Sequence, residues 1–235
     1  MWRRLAIVIG SIFILQGCVS DNDGNPTKQK DDKKVDINMI EKLFHAAKDK
    51  DSETVRRLIE EGVDINTQDS QGRTATMIST YNNDIETAKI LIDAGADVNI
   101  QDELENNPFL YAGAEGYIEI LKLTIKAGAD PSITNRYGGT ALIPASEHGY
   151  VDVIKELLTN TDMDINHIND LGWTALLEAI ILNNGDEKQQ QTVQLLIDHG
   201  ADVNIADHNN VTPLQHAQKK GFKEIENILL KAGTK

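Results

Sequence analysis

Side chains able to do acid–base, nucleophilic or metal chemistry are sparse in this sequence. The six histidines, His45, His148, His167, His199, His208 and His216, include no pair at the i, i+4 spacing by which one helix face presents two metal ligands. A single cysteine, Cys18, excludes an intrachain disulfide and a multi-thiolate zinc site. The run Asp21, Asn22, Asp23, Gly24 starts like a calcium loop but lacks the remaining ligands and the distal Glu. No Gly-rich phosphate loop, nucleophile elbow or His-Glu-x-x-His sequence occurs. An enzyme reading would require Glu147, His148 and Glu178 to converge as an acid–base set in one groove. The expectation is therefore no catalytic residue, no bound metal and no small-molecule cofactor.

Charge narrows the partners. Acidic residues outnumber basic ones 37 to 23, a formal charge of −14, which repels phosphate backbones and anionic headgroups. Nucleic acid is excluded on that ground, and another protein with a basic surface is the fitting partner. The amino terminus pulls the other way. Arg3 and Arg4 precede an apolar run from Leu5 to Leu15, which is too short to span a bilayer and suits the h-region of an export signal. Leu15, Gln16, Gly17 and Cys18 follow, and they resemble the lipobox of bacterial lipoproteins, with Gln16 larger than that pattern prefers. The resemblance implies cleavage before Cys18, acylation of its thiol and attachment to the envelope. With Val19 next, it implies the outer membrane facing the periplasm in a Gram-negative host. Residues 1–17 are thus expected to be a signal peptide. Residues 18–36, rich in charge, Gly, Asn and Pro, are expected to be a lipidated cysteine and flexible tether.

The rest of the chain repeats. Gly62, Gly95 and Gly128 are 33 residues apart, as are Gly116 and Gly149, Gly200 and Gly233, and Asn66 and Asn99. The phrases LIEEGVDIN, LIDAGADVN, TIKAGADPS and LIDHGADVN recur, preceded by turns such as Gly72-Arg73-Thr74-Ala75, Gly172-Trp173-Thr174-Ala175-Leu176 and Thr212-Pro213-Leu214. These lines resemble ankyrin repeats. The resemblance implies an all-α solenoid of about six helix-turn-helix units with finger loops over residues 37–235, divided near 40–66, 67–99, 100–132, 133–166, 167–204 and 205–235. Thr74, Thr140, Thr174 and Thr212 suit the N-cap of each first helix, and the glycines suit a left-handed C-terminal cap. Three departures stand out. Thr161 replaces a cap glycine, Pro144 sits in a first helix where it should bend or shorten it, and about five residues are added near Asn184 to Gln190, lengthening a turn. Asn107 for a capping Thr and Thr124 for an apolar residue suggest looser packing in the third unit.

In ankyrin proteins the inner helices and fingers form a concave binding face. By the repeat register, His45, Ile78, Tyr111, Pro144, Glu178 and His216 form one groove column, and Tyr81, Glu115, Glu147, His148 and Lys219 a second. Arg136, Tyr137 and Trp173 are finger residues, Trp173 in a slot that also suits bracing of adjacent fingers. The expected partner site is Tyr81, Tyr111, Arg136, Tyr137, Glu147, His148, Trp173, Glu178 and His216, a mixture rich in the aromatic and cationic types that dominate protein interfaces. The function implied is a non-catalytic module, an immunity-type inhibitor or a scaffold of an envelope enzyme, touching the membrane only through its lipid. Replacing Cys18 by Ala should release the protein from membranes. An unmodified Cys18 thiol, found by mass spectrometry on membrane-purified protein, would remove the lipid anchor.

Overall fold

The computed structural model describes residues 26–233, with side chains from residue 37. Its elements are twelve α-helices, with no strand among the described residues. They pair in chain order as α1 (Pro26–Asp49) with α2 (Ser52–Glu60), α3 (Ala75–Tyr81) with α4 (Ile85–Asp93), and α5 (Pro108–Glu115) with α6 (Ile118–Lys126). The series continues with α7 (Leu142–His148) and α8 (Val151–Asn160), α9 (Ala175–Ile181) and α10 (Glu187–Asp198), and α11 (Pro213–Lys220) and α12 (Lys223–Lys231). Odd-numbered helices pack on one another as an inner layer and even-numbered ones as an outer layer. Each unit therefore touches only its neighbours, as a solenoid requires. The expected signal peptide and Cys18 lie outside the described residues. Helix α1, however, begins at Pro26, inside the stretch expected to be tether. Proline is tolerated in a first turn, and Lys and Gln are good helix formers, so residues 26–36 continue the helix that packs through Leu43, Ala46 and Ala47.

Local chemistry sets the helix ends. The side-chain oxygens of Thr74, Asn107, Thr174 and Thr212 accept the backbone N–H three residues on, capping α3, α5, α9 and α11. Thr140 departs from its expected role. In its neighbours the cap carbonyl accepts the N–H of the fourth residue onward, Ile78, Tyr111, Glu178 or His216. The equivalent residue here is Pro144, which has no N–H. The Thr140 carbonyl instead takes Ile143 N–H at 3.2 Å, and α7 starts one residue late behind Ala141. The Thr140 hydroxyl is left buried without a partner. In the third unit Asn107 caps at 2.8 Å while its Nδ2 is buried without a partner, and the fully buried Thr124 returns its hydroxyl to Leu121 O at 2.8 Å. Thr161 ends α8 without glycine, its N–H and its hydroxyl both meeting Leu157 O.

The added residues of the fifth unit do more than lengthen a turn. Part of them extends α10 to 12 residues behind the N-cap Asp186. Asn183 and the buried Gln189 then reach back to the fourth unit, donating to Glu147 O at 2.8 and 3.0 Å. This clamps the C-terminal turn of α7, where a carbonyl would otherwise lack an intrahelical partner.

Successive fingers are bonded to each other as well as packed. Gln68 Nε2 donates to Gly72 O in its own finger and to Gln101 O in the next, and Gln101 Nε2 repeats this with Glu105 O and Thr134 O. Glu103 N–H donates to Gln71 O, and Asp170 N–H to Tyr137 O, both at 3.0 Å. The approach of one finger to the next finger's backbone is closest at Gly72, whose φ is +73°: a Cβ there would lie 3.0 Å from Glu103 N and 3.2 Å from the Asp102 backbone. Gly95 has φ +92° but open space around the same position. Gly95→Ala should therefore cost about 1 kcal/mol, the left-handed strain alone. Gly72→Ala should cost a further 1 kcal/mol or more, on the order of an overpacking penalty. Urea unfolding of both variants would show equal losses if the finger backbones were not in contact.

Candidate functional site

Each of five fingers is built on one Asp or Asn. The Oδ1 of Asp69 accepts the N–H of Gln71 and Arg73, that of Asp102 the N–H of Leu104 and Asn106, and that of Asn135 the N–H of Tyr137 and Gly139. Asn169 does the same for Leu171 and Trp173, and Asp207 for Asn209 and Val211. The remaining side-chain atom meets a partner of opposite hydrogen-bonding sense. Asp69 Oδ2 takes Arg73, Asp102 Oδ2 takes the Tyr81 hydroxyl at 2.5 Å, and Asp207 Oδ2 lies 2.9 Å from His216 Nε2. Where the groove residue is a carboxyl, the finger residue is an amide: Asn169 Nδ2 donates to Glu178 Oε1 at 2.8 Å. Two carboxylates at that distance would repel. Asn135 is the exception, since the residue nine positions on is Pro144 and its Nδ2 makes no hydrogen bond among the described residues.

Beside Asn135 and Pro144 the inner layer opens into a cavity of about 400 Å³. Tyr111, Arg136, Tyr137, Glu147 and Glu178, expected from the repeat register to share a groove, all line it. The other four expected residues do not. Tyr81 adjoins through its ring, edge-on to Tyr111 with centroids 4.4 Å apart. Burial and the Asp102 hydrogen bond push its hydroxyl up to about 12. His148 packs against Tyr150, ring centroids 5.4 Å apart, and does not line the cavity that Glu147 and Glu178 share. Trp173 is half-buried beside its finger, and His216 serves Asp207 on α11.

Sequence reasoning named Tyr137 but missed the two apolar finger residues aligned with it, Leu104 and Leu171. Leu104, Tyr137 and Leu171 occupy the same place on consecutive fingers and are 50%, 56% and 53% exposed, whereas Gln71 and Asn209 hold that place on either side. Leu182, at the end of α9, is 48% exposed and lines the cavity with Leu171. Their spacing of 33 and 34 residues was the available signal. Exposed apolar side chains scattered singly need no explanation, but aligned on one edge they make a patch. Another hollow of about 400 Å³ lies on the outer helices, where Glu119, Lys122, Lys155 and Glu156 carry both signs of charge and no comparable apolar edge.

Glu178 is the unusual group. The register placed it on an open groove face, yet it is only 5% exposed. Burial, then the charge of Glu147, push its carboxyl up to about 7, against the Asn169 hydrogen bond. No group of three or more His, Cys, Asp or Glu able to hold a metal is found among the described residues, and none of their helices is long and apolar enough to cross a membrane.

The family model for ankyrin repeats, in three copies, matches residues 22–102, 109–205 and 171–235. The chain belongs to the ankyrin repeat family. It is similar to an ankyrin repeat domain from Acinetobacter baumannii AYE, whose crystal structure gives a TM-score of 0.80 at 49% identity over 82% of this chain and 98% of that one. A second ankyrin repeat protein of known crystal structure gives 0.79 at 42% identity, with the same coverage of both chains. A 79-residue stretch, 34% of this chain, is 51% identical to the ankyrin repeat protein YahD of Escherichia coli (strain K12) and spans 39% of it. Ankyrin repeat proteins are in general protein-interaction modules, typically without catalysis.

The raised Glu178 pKa makes stability depend on pH in a defined direction. A carboxyl whose folded pKa lies above its unfolded value stabilises the fold below about pH 4.5, and that contribution is lost as pH rises through about 7. In an ankyrin chain carrying Glu178→Gln the amide oxygen can still accept from Asn169, but nothing ionises. Wild type and variant should unfold most nearly alike at pH 4, and the variant should be more stable at pH 8 by on the order of 2 kcal/mol, allowing for partial solvent screening. Parallel urea titrations at the two pH values measure the difference, and an unchanged gap would refute the shift.

Proposed function

We propose that this ankyrin repeat chain is a non-catalytic binding module that holds a partner protein on the concave side of the third to fifth units, between α5, α7 and α9. The observation that carries this reading is one coincidence: the cavity and the aligned exposed side chains Leu104, Tyr137 and Leu171 occupy the same three units. Aromatic and aliphatic anchors around a pocket are what an interface uses for most of its affinity. We extend the proposal to the amino terminus: Cys18 lipidation would hold the module at the envelope, where it neutralises an effector as an inhibitor or supports an exported enzyme as a scaffold. The −14 charge and the carboxylates of the groove favour a partner with a basic surface. An acid–base enzyme is the weaker alternative, because His148 does not line the cavity that the two carboxyls share.

The test is a pull-down from envelope extract with wild type and a Tyr111→Ala, Tyr137→Ala double variant. Tyr137 is exposed, so its loss should cost little stability, within about ±0.5 kcal/mol. Tyr111 touches Tyr81 and Tyr117, and its loss should cost about 0.5–1.5 kcal/mol for the ring pairs. With both proteins folded at the assay temperature, partner recovery should fall at least tenfold. Equal recovery would place the interface elsewhere.

A further inference from the structure

The cavity between α5, α7 and α9 is lined by carboxyl groups and by apolar side chains, and one of those carboxyls has an oxygen without a protein partner. Glu178 Oε1 is satisfied by Asn169 Nδ2, while Oε2 has no hydrogen-bond or ion-pair partner among the described residues, although the residue is 95% buried by its 5% exposure. Glu147 lines the same space, and its backbone is fixed there by Asn183 and Gln189. The other charged residues at the cavity are Glu115 on α5 and Arg136 on the finger, and the Arg136 guanidinium lies 4.9 Å from the centre of the Tyr137 ring. Three carboxyl groups against one guanidinium leave the site acidic. Tyr111, Pro144, Leu171 and Leu182 supply its walls.

Resting on the reading of this groove as a protein-binding face, we propose that the cavity receives an arginine side chain of the partner, its guanidinium facing Glu178 Oε2 and Glu147 and its apolar neighbours resting on Tyr137, Leu171 and Leu182. The fork of a guanidinium matches carboxylates in two-bond geometry and lies flat on aromatic rings, both of which the cavity offers. An apolar ligand would leave Oε2 unsatisfied when it closed the cavity, a costly outcome for a buried polar atom, and a neutral donor would leave the carboxylate charge unbalanced. A cation also relieves the repulsion between Glu147 and Glu178 that, after burial, holds the Glu178 proton on.

The capped tripeptide acetyl-Leu-Arg-Leu-amide tests this against its uncharged isostere with citrulline in place of arginine. NMR titration of the full-length chain follows the Asn169 side-chain amide and the Leu171 and Leu182 methyls. The arginine peptide should shift these signals saturably and bind at least tenfold more tightly than the citrulline peptide. Glu178→Gln, which the pH argument makes at least as stable as wild type, should abolish that preference, and Glu119→Gln on the outer face should keep it. Equal binding of the two peptides, no saturable shift, or a preference that survives Glu178→Gln overturns the arginine assignment. If that happens while partner capture still depends on Tyr111 and Tyr137, the groove reading stands and only its occupant is wrong. Loss of that dependence instead removes the groove itself.

Discussion

Asp69, Asp102, Asn135, Asn169 and Asp207 each hold two backbone N–H groups with a single oxygen, and a finger without that oxygen would expose two unpaired donors in a tight turn. Asx side chains are suited to this because they reach the backbone two residues on without disturbing their own strand of chain. Fixing the finger fixes the start of the next inner helix, since the cap residue lies five positions beyond the Asx in four of the five units, as Thr74 lies beyond Asp69 and Thr174 beyond Asn169. Fixing the inner helix in turn fixes which side chains face the groove. Local hydrogen bonding and long-range shape are therefore set by the same atom.

At three of the fingers the second side-chain atom of the Asx carries that order into the groove. Acid meets donor at Tyr81 and His216, and amide meets acid at Glu178. Such matching is what keeps buried polar groups from weakening a small core. Pro144 breaks the series twice. It offers Asn135 nothing to bond, and it displaces the start of α7, leaving the Thr140 hydroxyl unpaired. The cavity forms where both interruptions fall together.

Much of this was open to sequence reasoning. The period of 33, the cap glycines and the threonine caps of α3, α9 and α11 follow from residue type and spacing alone, because each depends on backbone conformation within a few residues. The register also brought Tyr111, Tyr137, Glu147 and Glu178 to one face. It could not give the depth of Glu178, which depends on Asn169 and on the neighbouring unit closing over it. Thr140 was misjudged because its cap fails through Pro144, four residues away, and not through anything at Thr140 itself. The cap made by Asn107 Oδ1 and the bond made by the Thr124 hydroxyl each use a local backbone partner that composition does not reveal. The back-contact of Asn183 and Gln189 spans 36 and 42 residues, beyond the reach of any local pattern.

That back-contact changes what counts as one unit. Repeat proteins diversify by copying, deleting and shuffling single repeats, and each move succeeds when a repeat brings with it everything its shape requires. The fourth unit does not. Its α7 ends on a carbonyl that Asn183 and Gln189 of the fifth complete, so a copy of the fourth placed beside any other neighbour would arrive with a frayed helix under Glu147. To keep that helix end, the two repeats would have to be copied together, as a piece of about seventy residues spanning 133–204.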